Sequence, residues 1–345
     1  MATQRVLRLL DRNNWHSLAE FQELCPSAGK HEVLIKIQSV ALNLRDIAIA
    51  TGKYPFRVKD RLIPGSDAAG DIVAIGEGVI GFTEGDRVVI CYDQVTQYGP
   101  LQSWDHGLGG PIDGVMREYI NVPADVVVKI PDYSPLTYSR WASMASVGVT
   151  AWNALYGAVP LKPGQTILFL GTGCMSITGL ILAKAAGATT IVTSFSDENL
   201  QYVEETYEPH HTINCVETPD WAAEVKRITG GKGADHIFEI GGAATIHKSF
   251  QAVAFGGVIS VMDCFSPGLQ SLMPDVITLA LWKGVNVRGI LNGSKQQLEE
   301  VVMFIGARNL RLPVEKTFEF SRGQVIEAYD YLASGQHLGK VCIVV

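Results

Sequence analysis

The residues that most clearly indicate chemistry are two glycines and a serine, spaced as G-x-G-x-x-S. They are Gly171, Gly173 and Ser176, within the segment ILFLGTGCMSITGLILAKAAGA. The apolar run before them and the helical stretch after them predict a strand, a tight turn and a helix. In such a turn the glycines let the backbone approach a pyrophosphate, whose charge the N–H groups at the helix start attract. The predicted contacts of this dinucleotide-binding turn are Gly171, Thr172, Gly173, Cys174 and Met175.

The end of the next apolar run bears on which dinucleotide binds. An Asp or Glu about 20 residues beyond the glycines would hold the ribose 2′-hydroxyl of NAD. Here the segment TTIVTSFSDEN places Ser194 at that point. A neutral hydroxyl tolerates a 2′-phosphate that a carboxylate would repel, so Ser194 and Ser196 favour NADP(H). Asp197 lies close by with no Arg or Lys immediately after it, and an Asp there commonly caps the next helix.

The turn belongs to a longer series of strand-to-helix connections. From about residue 166, six apolar runs alternate with helical stretches, a pattern typical of a doubly wound parallel sheet covered on both faces. A glycine-rich connection without a ligand is the alternative, but the alternating units favour the ligand-binding interpretation. Ligands bind at the carboxyl ends of such strands. The later strand ends therefore add the predicted cofactor contacts Ile240, Gly241, Cys264, Phe265, Leu291 and Asn292.

The first half of the chain has a different pattern. Between about residues 31 and 130 the apolar runs are short, β-branched and separated by Gly, Pro and Asp, which predicts an antiparallel, barrel-like domain. The tail ending in GKVCIVV has too little apolar material for a third domain, so we expect it to return to the first. The predicted domains are residues 1–130 with 292–345, and residues 131–291.

Composition limits the partners and the compartment. Acidic residues exceed basic ones by 7 (35 against 28) and no dense Lys/Arg cluster occurs, so nucleic acid and membranes are not expected partners. Arg8 and Asp11 interrupt the apolar residues at the N-terminus, which argues against a signal peptide. Six cysteines without a C-x-x-C pair indicate buried thiols in a reducing compartment. We expect a cytoplasmic protein.

Two segments, VLIKIQSVALNLRDIAIATGKYP (33–55) and IPGSDAAGDIVAIGEGVIGFTEGDRV (63–88), resemble the N-terminal domain of medium-chain dehydrogenases/reductases. The resemblance is to their zinc-independent, quinone oxidoreductase-like branch, and it continues through GVMREYINVP, GVTAWNAL and GKVCIVV. It implies an α/β fold: a GroES-like β-rich domain, a Rossmann-like NADP(H)-binding domain and an active site in the interdomain cleft. It also implies a homodimer formed through the last Rossmann strand, residues 285–291, which would cover an exposed sheet edge.

The resemblance also bears on zinc. Zinc-dependent members carry a Cys where the segment Asn43–Asp46 begins and a His-Glu pair where Ser66 and Asp67 stand. The lobe that would hold four cysteines reads CYDQVTQYGPLQSWDHGLGG, with one Cys and one His. Because zinc needs four protein ligands, or three and a water, both sites are predicted to be absent. Without this Lewis acid, reduction of a conjugated C=C bond or a quinone is favoured over alcohol dehydrogenation.

The resemblance implies which residues face the nicotinamide and the acceptor. Tyr54 would donate a hydrogen bond to the substrate oxygen, and Asn43 would orient the cofactor or the acceptor. Thr150 corresponds to a position near the nicotinamide, and Asn214 to one near the adenosine phosphate. Structural roles are the alternatives: a packed turn residue for Tyr54, a turn former for Asn43 and a helix hydroxyl bonded to its own backbone for Thr150. Relatives usually have a second glycine directly after the position of Gly173. This chain has Cys174 there, and the cysteine side chain narrows the phosphate turn.

Three functions stay open from the sequence. The favoured one is an NADPH-dependent enoyl or quinone reductase acting on a small hydrophobic, carbonyl-containing acceptor. A trans-acting enoyl reductase or tailoring enzyme of secondary metabolism is the second, which an aromatic-lined cleft with Trp104 and Tyr98 would favour. The third is a non-catalytic cofactor-binding or structural protein, which an absence of cofactor binding would favour.

Overall fold

The computed structural model describes residues 2–262 and 273–345. They form two compact units: unit 1 comprises Met1–Val149 and Asn292–Val345, and unit 2 comprises Thr150–Leu291. In the described part of the chain, no helix has the length and apolar character needed to cross a membrane. Two predicted cofactor contacts, Cys264 and Phe265, lie outside the described residues.

Unit 1 begins with a two-stranded hairpin, which is followed by most of a larger β-sheet. In chain order its first elements are β1 (Thr3–Leu9), β2 (Leu18–Leu24), β3 (Glu32–Ala41), α1 (Leu44–Ala50), β4 (Asp67–Ile75), β5 (Arg87–Ile90), β6 (Tyr119–Pro123), β7 (Val127–Lys129), α2 (Tyr138–Ala142) and a π-helical turn (Met144–Gly148). Helix α3 (Val149–Tyr156) begins at the boundary between the units.

Unit 2 alternates strands with helices. In chain order they are β8 (Thr166–Phe169), α4 (Cys174–Ala185), β9 (Thr189–Ser194), α5 (Asp197–Tyr207), β10 (His211–Asn214), α6 (Trp221–Ile228), β11 (Ala234–Glu239), α7 (Ile246–Ala252), β12 (Val253–Val261), α8 (Val276–Lys283) and β13 (Asn286–Gly289). The strands pair in parallel in the order β10-β9-β8-β11-β12-β13. This confirms the predicted doubly wound sheet.

The strand order of unit 2 reverses between β8 and β11, and ligands of such folds bind where the order reverses. A sheet covered by helices on both faces needs apolar side chains at successive positions. Accordingly Ile167, Leu168 and Phe169 of β8 are all fully buried. The carboxyl end of β8 therefore follows a strand whose side chains are held by core packing.

The last elements return to unit 1. They are α9 (Lys295–Arg308), β14 (Val314–Glu319), α10 (Arg322–Ala333) and β15 (Lys340–Val344). Strand β15 lies antiparallel to β3, with Cys342 opposite Ala41 and Ile343 opposite Val40. The sheet has the order β14-β15-β3-β4-β5-β7, and β6 also pairs with β3. The start of β15 consequently lies beside the end of β3, where the segment with Asn43 begins.

The units divide after Val149, whereas the sequence placed the boundary after residue 130. The reason is the packing of α2 on the sheet of unit 1. Trp141 is fully buried, and the hydroxyls of Ser139 and Ser39 are hydrogen-bonded at 2.9 Å. Arg87 of β5 donates to the carbonyls of residues 134 and 136. Residues 131–149 are thereby fastened to unit 1.

Candidate active site

The predicted phosphate turn connects β8 to α4 in unit 2. Gly171 has a φ of +75°, a left-handed conformation that side chains disfavour. A Cβ added to Gly173 would meet no atom of the described residues within 4 Å, so none of these residues blocks the approach of a ligand to this glycine. Among the described side chains, none caps the N-terminus of α4, so an anion can take that place. The turn therefore fits the pyrophosphate of a dinucleotide.

Ser176 and Gly179 hold α4 close to the sheet. The Ser176 hydroxyl donates to the carbonyl of Leu170 at 2.8 Å. A Cβ added to Gly179 would overlap with the rings of Phe238 and Phe169. Gly179 thus provides the close helix–sheet approach that the third glycine of such turns gives. The third position of the G-x-G-x-x-S pattern is Ser176, and Gly179, about one helical turn later, was a further visible signal for this close approach.

The residues after β9 bear on the choice of dinucleotide. Ser194 is buried, and its hydroxyl accepts a hydrogen bond from the N–H of Ser196 at 3.2 Å. The Ser196 hydroxyl caps α5 by accepting from the N–H of Asn199. The expectation that Asp197 caps this helix is therefore wrong. Asp197 lies in the first turn, where the helix dipole stabilises its charge, and accepts a hydrogen bond from Asn214 Nδ2 at 2.5 Å.

A surface cavity of about 400 Å³ adjoins these residues, and Asn214 is part of its lining. Its ten lining residues include four carboxylates and neither Lys nor Arg. A phosphate group nearby would be repelled by these carboxylates, although salt screens exposed charges beyond about 8 Å. The four carboxylates are Asp197, Glu204, Glu217 and Glu224.

The turn after β11 contains Ile240 and Gly241. The N–H groups of Gly241 and Gly242 donate to Oε1 of the buried Glu239 at 2.7 and 3.1 Å. These bonds fix the turn at the carboxyl edge of the sheet. The remaining predicted contacts are Thr150 and Leu291, the first and last residues of unit 2, and Asn292, the first residue of the returning segment.

In unit 1, a buried lysine occupies the region where zinc-dependent relatives would bind metal. Lys340 Nζ donates to the carbonyl of Leu42 and to Oδ1 of Asn43, both at 2.6 Å. It also lies 3.8 Å from Oδ2 of Asp67. Lys340 is only 3% exposed and Asp67 is fully buried. We call these residues the lysine centre; it places a positive charge beside the predicted site residue Asn43.

The residues of this region do not fit zinc. The carboxylate of Asp67 accepts hydrogen bonds from the hydroxyls of Ser66 and Ser146 at 2.6 and 2.7 Å. Within residues 2–262 and 273–345, no group of three or more His, Cys, Asp or Glu is arranged to hold a metal ion. An amide, a hydroxyl and one carboxylate lack the His and Cys ligands that zinc sites use. The buried Asn43 Nδ2, in contrast, has no hydrogen-bond partner among the described residues and is a donor available to a ligand.

Asp46 follows in the first turn of α1. Its Oδ2 accepts from the N–H of Asn43 at 2.8 Å, which holds the loop before α1. No described residue donates a hydrogen bond to its buried Oδ1. Burial raises the pKa of Asp46 to about 6, and the charge of Arg45 opposes that shift.

Tyr54 is buried, with 7% exposure, and its neighbours are polar. Arg45 Nε donates to the Tyr54 hydroxyl at 3.1 Å, and Arg45 Nη1 donates to the carbonyl of Leu108 at 3.0 Å. The guanidinium carbon lies 4.9 Å from the ring centroid of Tyr54 and 5.0 Å from that of Tyr92. The sequence singled out Tyr54 but missed Arg45 and Tyr92.

An aromatic group adjoins Tyr54. The rings of Tyr54 and Phe56 meet edge to face at 5.4 Å, and Phe56 stacks on Trp104 at 4.1 Å. Trp104 is therefore near Tyr54, as the second functional hypothesis requires, whereas Tyr98 is 75% exposed. Stacked rings next to a hydroxyl suit a flat, conjugated acceptor.

Comparison with known proteins agrees with this architecture. Residues 29–132 match the family model of the alcohol dehydrogenase GroES-like domain, and residues 173–307 match that of zinc-binding dehydrogenases. A zinc-type alcohol dehydrogenase-like protein of Schizosaccharomyces pombe is 38% identical over 319 residues, which cover 90% of each chain.

Solved structures give the same result. A candidate alcohol dehydrogenase from Sinorhizobium meliloti 1021 is 31% identical, with a TM-score of 0.87 and full coverage of both chains. A quinone oxidoreductase of Pseudomonas syringae pv. Tomato DC3000 is 21% identical with a TM-score of 0.79, covers 99% of this chain and 100% of its own, and shares the fold. The chain belongs to the medium-chain dehydrogenase/reductase superfamily of oxidoreductases, with a GroES-like and a Rossmann-like domain.

Proposed function

We propose that the protein is a zinc-independent, NADPH-dependent oxidoreductase of the quinone oxidoreductase-like branch. It would transfer hydride to a conjugated C=C bond or a quinone. The observation that carries the proposal is the lysine centre: the ammonium of Lys340 lies among Leu42, Asn43 and Asp67, where metal-dependent relatives need thiolate and imidazole ligands. Several relatives are named as zinc-type proteins. The lysine centre is the reason why we do not propose zinc dependence for this chain.

The two units would divide the work. Unit 2 would hold NADP(H), with the pyrophosphate at the start of α4 and the adenosine ribose beside Ser194. Unit 1 would supply the groups that act on the acceptor. The bound nicotinamide supplies the hydride, and this chain's residues orient the acceptor and stabilise the negative charge that develops on its oxygen.

Within unit 1, Tyr54 would donate a hydrogen bond to the acceptor oxygen. Asn43 Nδ2, buried with no partner among the described residues, would donate to the cofactor or the acceptor. The positive charges of Lys340 and Arg45 would favour an enolate or a hydroquinone anion over the neutral acceptor. Saturated alcohols gain nothing from this arrangement, because its residues do not fit the Lewis acid that would activate their hydroxyl. Water would supply the final proton.

The preference for NADPH rests on Ser194, which puts a hydroxyl where NAD-specific folds have a carboxylate. The carboxylates around the nearby cavity act in the opposite direction, because they repel a 2′-phosphate. These carboxylates are mostly exposed, so salt should screen them. Fluorescence titration with NADPH and NADH at rising salt tests this balance. The ratio of the NADH to the NADPH dissociation constant should rise with salt; tighter NADH binding at every salt concentration would overturn the NADPH assignment.

We also propose a homodimer formed through β13, the edge strand of the Rossmann-like sheet. Large apolar side chains on the adjacent α8 are strongly exposed: Ile277 is 83%, Leu281 78% and Trp282 70% exposed. Apolar patches of this kind mark interaction surfaces. Light scattering of the wild-type protein should give a molar mass of twice that of the chain, and Trp282→Lys should lower this mass. A wild-type protein with the mass of one chain would refute the dimer.

The reductase proposal is tested by mixing purified protein with NADPH and a panel of enones and quinones, and with NADP⁺ and primary alcohols. Oxidation of NADPH by enones or quinones, with no activity towards alcohols and NADP⁺, is the expected result. Turnover of alcohols alone would refute it. Failure to bind either dinucleotide would favour the non-catalytic hypothesis and make Cys174 in the phosphate turn the first residue to replace with glycine.

The Phe56–Trp104 stack favours a second candidate, an enzyme acting on larger polycyclic or carrier-bound enoyl acceptors. Comparing the KM for an acceptor with a single ring with the KM for one with three fused rings distinguishes the two candidates. A lower KM for the larger acceptor that is lost in Trp104→Ala favours the second.

A further inference from the structure

Arg45 is a largely enclosed cation whose charge interacts with that of Asp46, the next residue. Among the described residues no carboxylate lies within ion-pair distance of its guanidinium. Instead Nη1 donates to the Leu108 carbonyl, and Nη2 is packed so tightly against Gly110 that a Cβ there would overlap with it. The only side-chain hydrogen bond of Arg45 among the described residues is the one from its Nε to Tyr54.

The ring of Tyr92 also packs against the guanidinium. Its centroid lies 5.0 Å from the guanidinium carbon of Arg45, and the centroid of the Tyr54 ring lies 4.9 Å from it. These ring contacts and the bond to the Leu108 carbonyl hold Arg45 where its Nε donates to the Tyr54 oxygen.

The bond from Arg45 limits what Tyr54 can do. A guanidinium has donors but no acceptor atom, so Tyr54 cannot donate to it and the Tyr54 proton must point to another group. Among the described residues, none accepts a hydrogen bond from Tyr54. The adjacent guanidinium also stabilises negative charge as the Tyr54 proton is drawn towards an acceptor.

We propose that Arg45 and Tyr92 are positioning residues that make the Tyr54 hydroxyl a fixed hydrogen-bond donor to the acceptor oxygen. This inference deepens the proposed function and rests on it. It narrows the substrates to acceptors whose oxygen gains negative charge when hydride adds to carbon: enones and quinones. For an enone, hydride from NADPH would add at the β-carbon and leave NADP⁺. The C=C electron pair would form a double bond between the α-carbon and the carbonyl carbon, and the C=O π pair would move to the oxygen, to which the Tyr54 O–H donates. Water would then protonate the α-carbon and leave as hydroxide.

The test is a double-mutant cycle with Arg45→Lys and Tyr54→Phe, assayed with NADPH and an accepted enone. Lysine keeps the charge but cannot reproduce the fixed geometry of the guanidinium. We expect Tyr54→Phe to lower kcat about 100-fold, the usual effect of losing one oxyanion donor. Arg45→Lys should lower kcat about 10-fold, with KM for NADPH unchanged. In the Tyr54→Phe background, Arg45→Lys should have an effect of less than about twofold.

Arg87→Lys is the matched control. Arg87 also lies over a tyrosine ring, Tyr138, at 4.8 Å and donates to two backbone carbonyls, but it has no link to Tyr54. It should lower thermal stability and leave kcat unchanged. Because Arg45→Lys can itself perturb folding, Tyr92→Leu provides a second arm: it removes the ring on which the guanidinium packs and should lower kcat in wild type but not in Tyr54→Phe.

The outcomes separate the two proposals. Equal effects of Arg45→Lys in the wild-type and Tyr54→Phe backgrounds would overturn the positioning role, as would an unchanged kcat in both Arg45→Lys and Tyr92→Leu. A wild-type protein that reduces no enone or quinone would defeat the proposed function itself. Strong non-additivity in an active enzyme supports both.

Discussion

Replacement of Asp46 by asparagine should stabilise the protein at high pH. Burial raises the pKa of the Asp46 carboxyl from 3.8 to about 6, so the folded state binds a proton more tightly than the unfolded chain. At pH 8 the carboxylate is charged in both states and its burial costs stability. A difference of about 2 units corresponds to ~3 kcal/mol. This cost begins to fall as the pH drops below about 6, where the folded carboxyl takes up its proton, and it is gone only below about pH 3.8, where the unfolded carboxyl is protonated as well.

The side-chain amide introduced by Asp46→Asn would be neutral at every pH, and its oxygen can still accept from the N–H of Asn43. We expect Asp46→Asn to raise the denaturation midpoint at pH 8 and to raise it only about a third as much at pH 4.5, where ~1 kcal/mol of the cost remains. Urea unfolding followed by fluorescence at both pH values measures this. The predicted gain is up to ~3 kcal/mol at pH 8.

Asp113 provides the control with opposite sign. It is partly buried, and its pKa is lowered because the Ile63 N–H and Lys59 donate to it and Arg8 lies nearby, which together exceed the effect of burial. Asp113→Asn should therefore lose stability at pH 8 and lose less in acid. The reasoning about Asp46 is refuted if Asp46→Asn is destabilised equally at pH 8 and pH 4.5, since charge would then not be the cause.

Three further predictions concern unit 2. Gly179→Ala should lower the thermal midpoint, because its Cβ would overlap with Phe238 and Phe169, and overpacking of this kind costs about 1–3 kcal/mol; circular dichroism melting checks it, and an unchanged midpoint would mean that α4 can shift. Ser194→Asp should weaken NADPH binding at least about tenfold and NADH binding little, as measured by fluorescence titration, because a carboxylate repels the 2′-phosphate. Burial lowers the pKa of His236 from 6.5 to about 4, so the unfolded chain binds more protons and stability is lost as pH falls from 6.5 towards 4; His236→Leu should flatten this part of the stability curve, and an equal slope in both proteins would refute it.

The sequence predicted the architecture of unit 2 well because hydrophobic period and glycine placement are local properties. Gly171 and Gly173 lie in a turn of the expected kind, and the six strand-like runs form the expected parallel sheet. Where local signals compete, prediction failed: Ser196 and Asp197 are both good N-cap residues, and the structure uses Ser196. The helical stretch 131–149 gave no signal of which unit it would pack on.

The groups around Tyr54 could not be predicted in this way, because they meet through the tertiary fold. Arg45 lies on α1, and Tyr92 lies at the start of the loop that follows β5. Lys340 reaches Asn43 only because β15 pairs with β3. The sequence contained one usable signal, an arginine directly before Asp46. Nothing local indicates that no carboxylate among the described residues lies within ion-pair distance of this arginine.

The central claim is that hydride reaches a conjugated acceptor without zinc. The most direct measurement combines metal analysis of the purified active protein with its rate of NADPH oxidation by a quinone or enone, before and after treatment with a strong chelator. The account predicts zinc far below one atom per chain and a rate that chelation does not change. Activity that rises in proportion to bound zinc and is lost on chelation would contradict it.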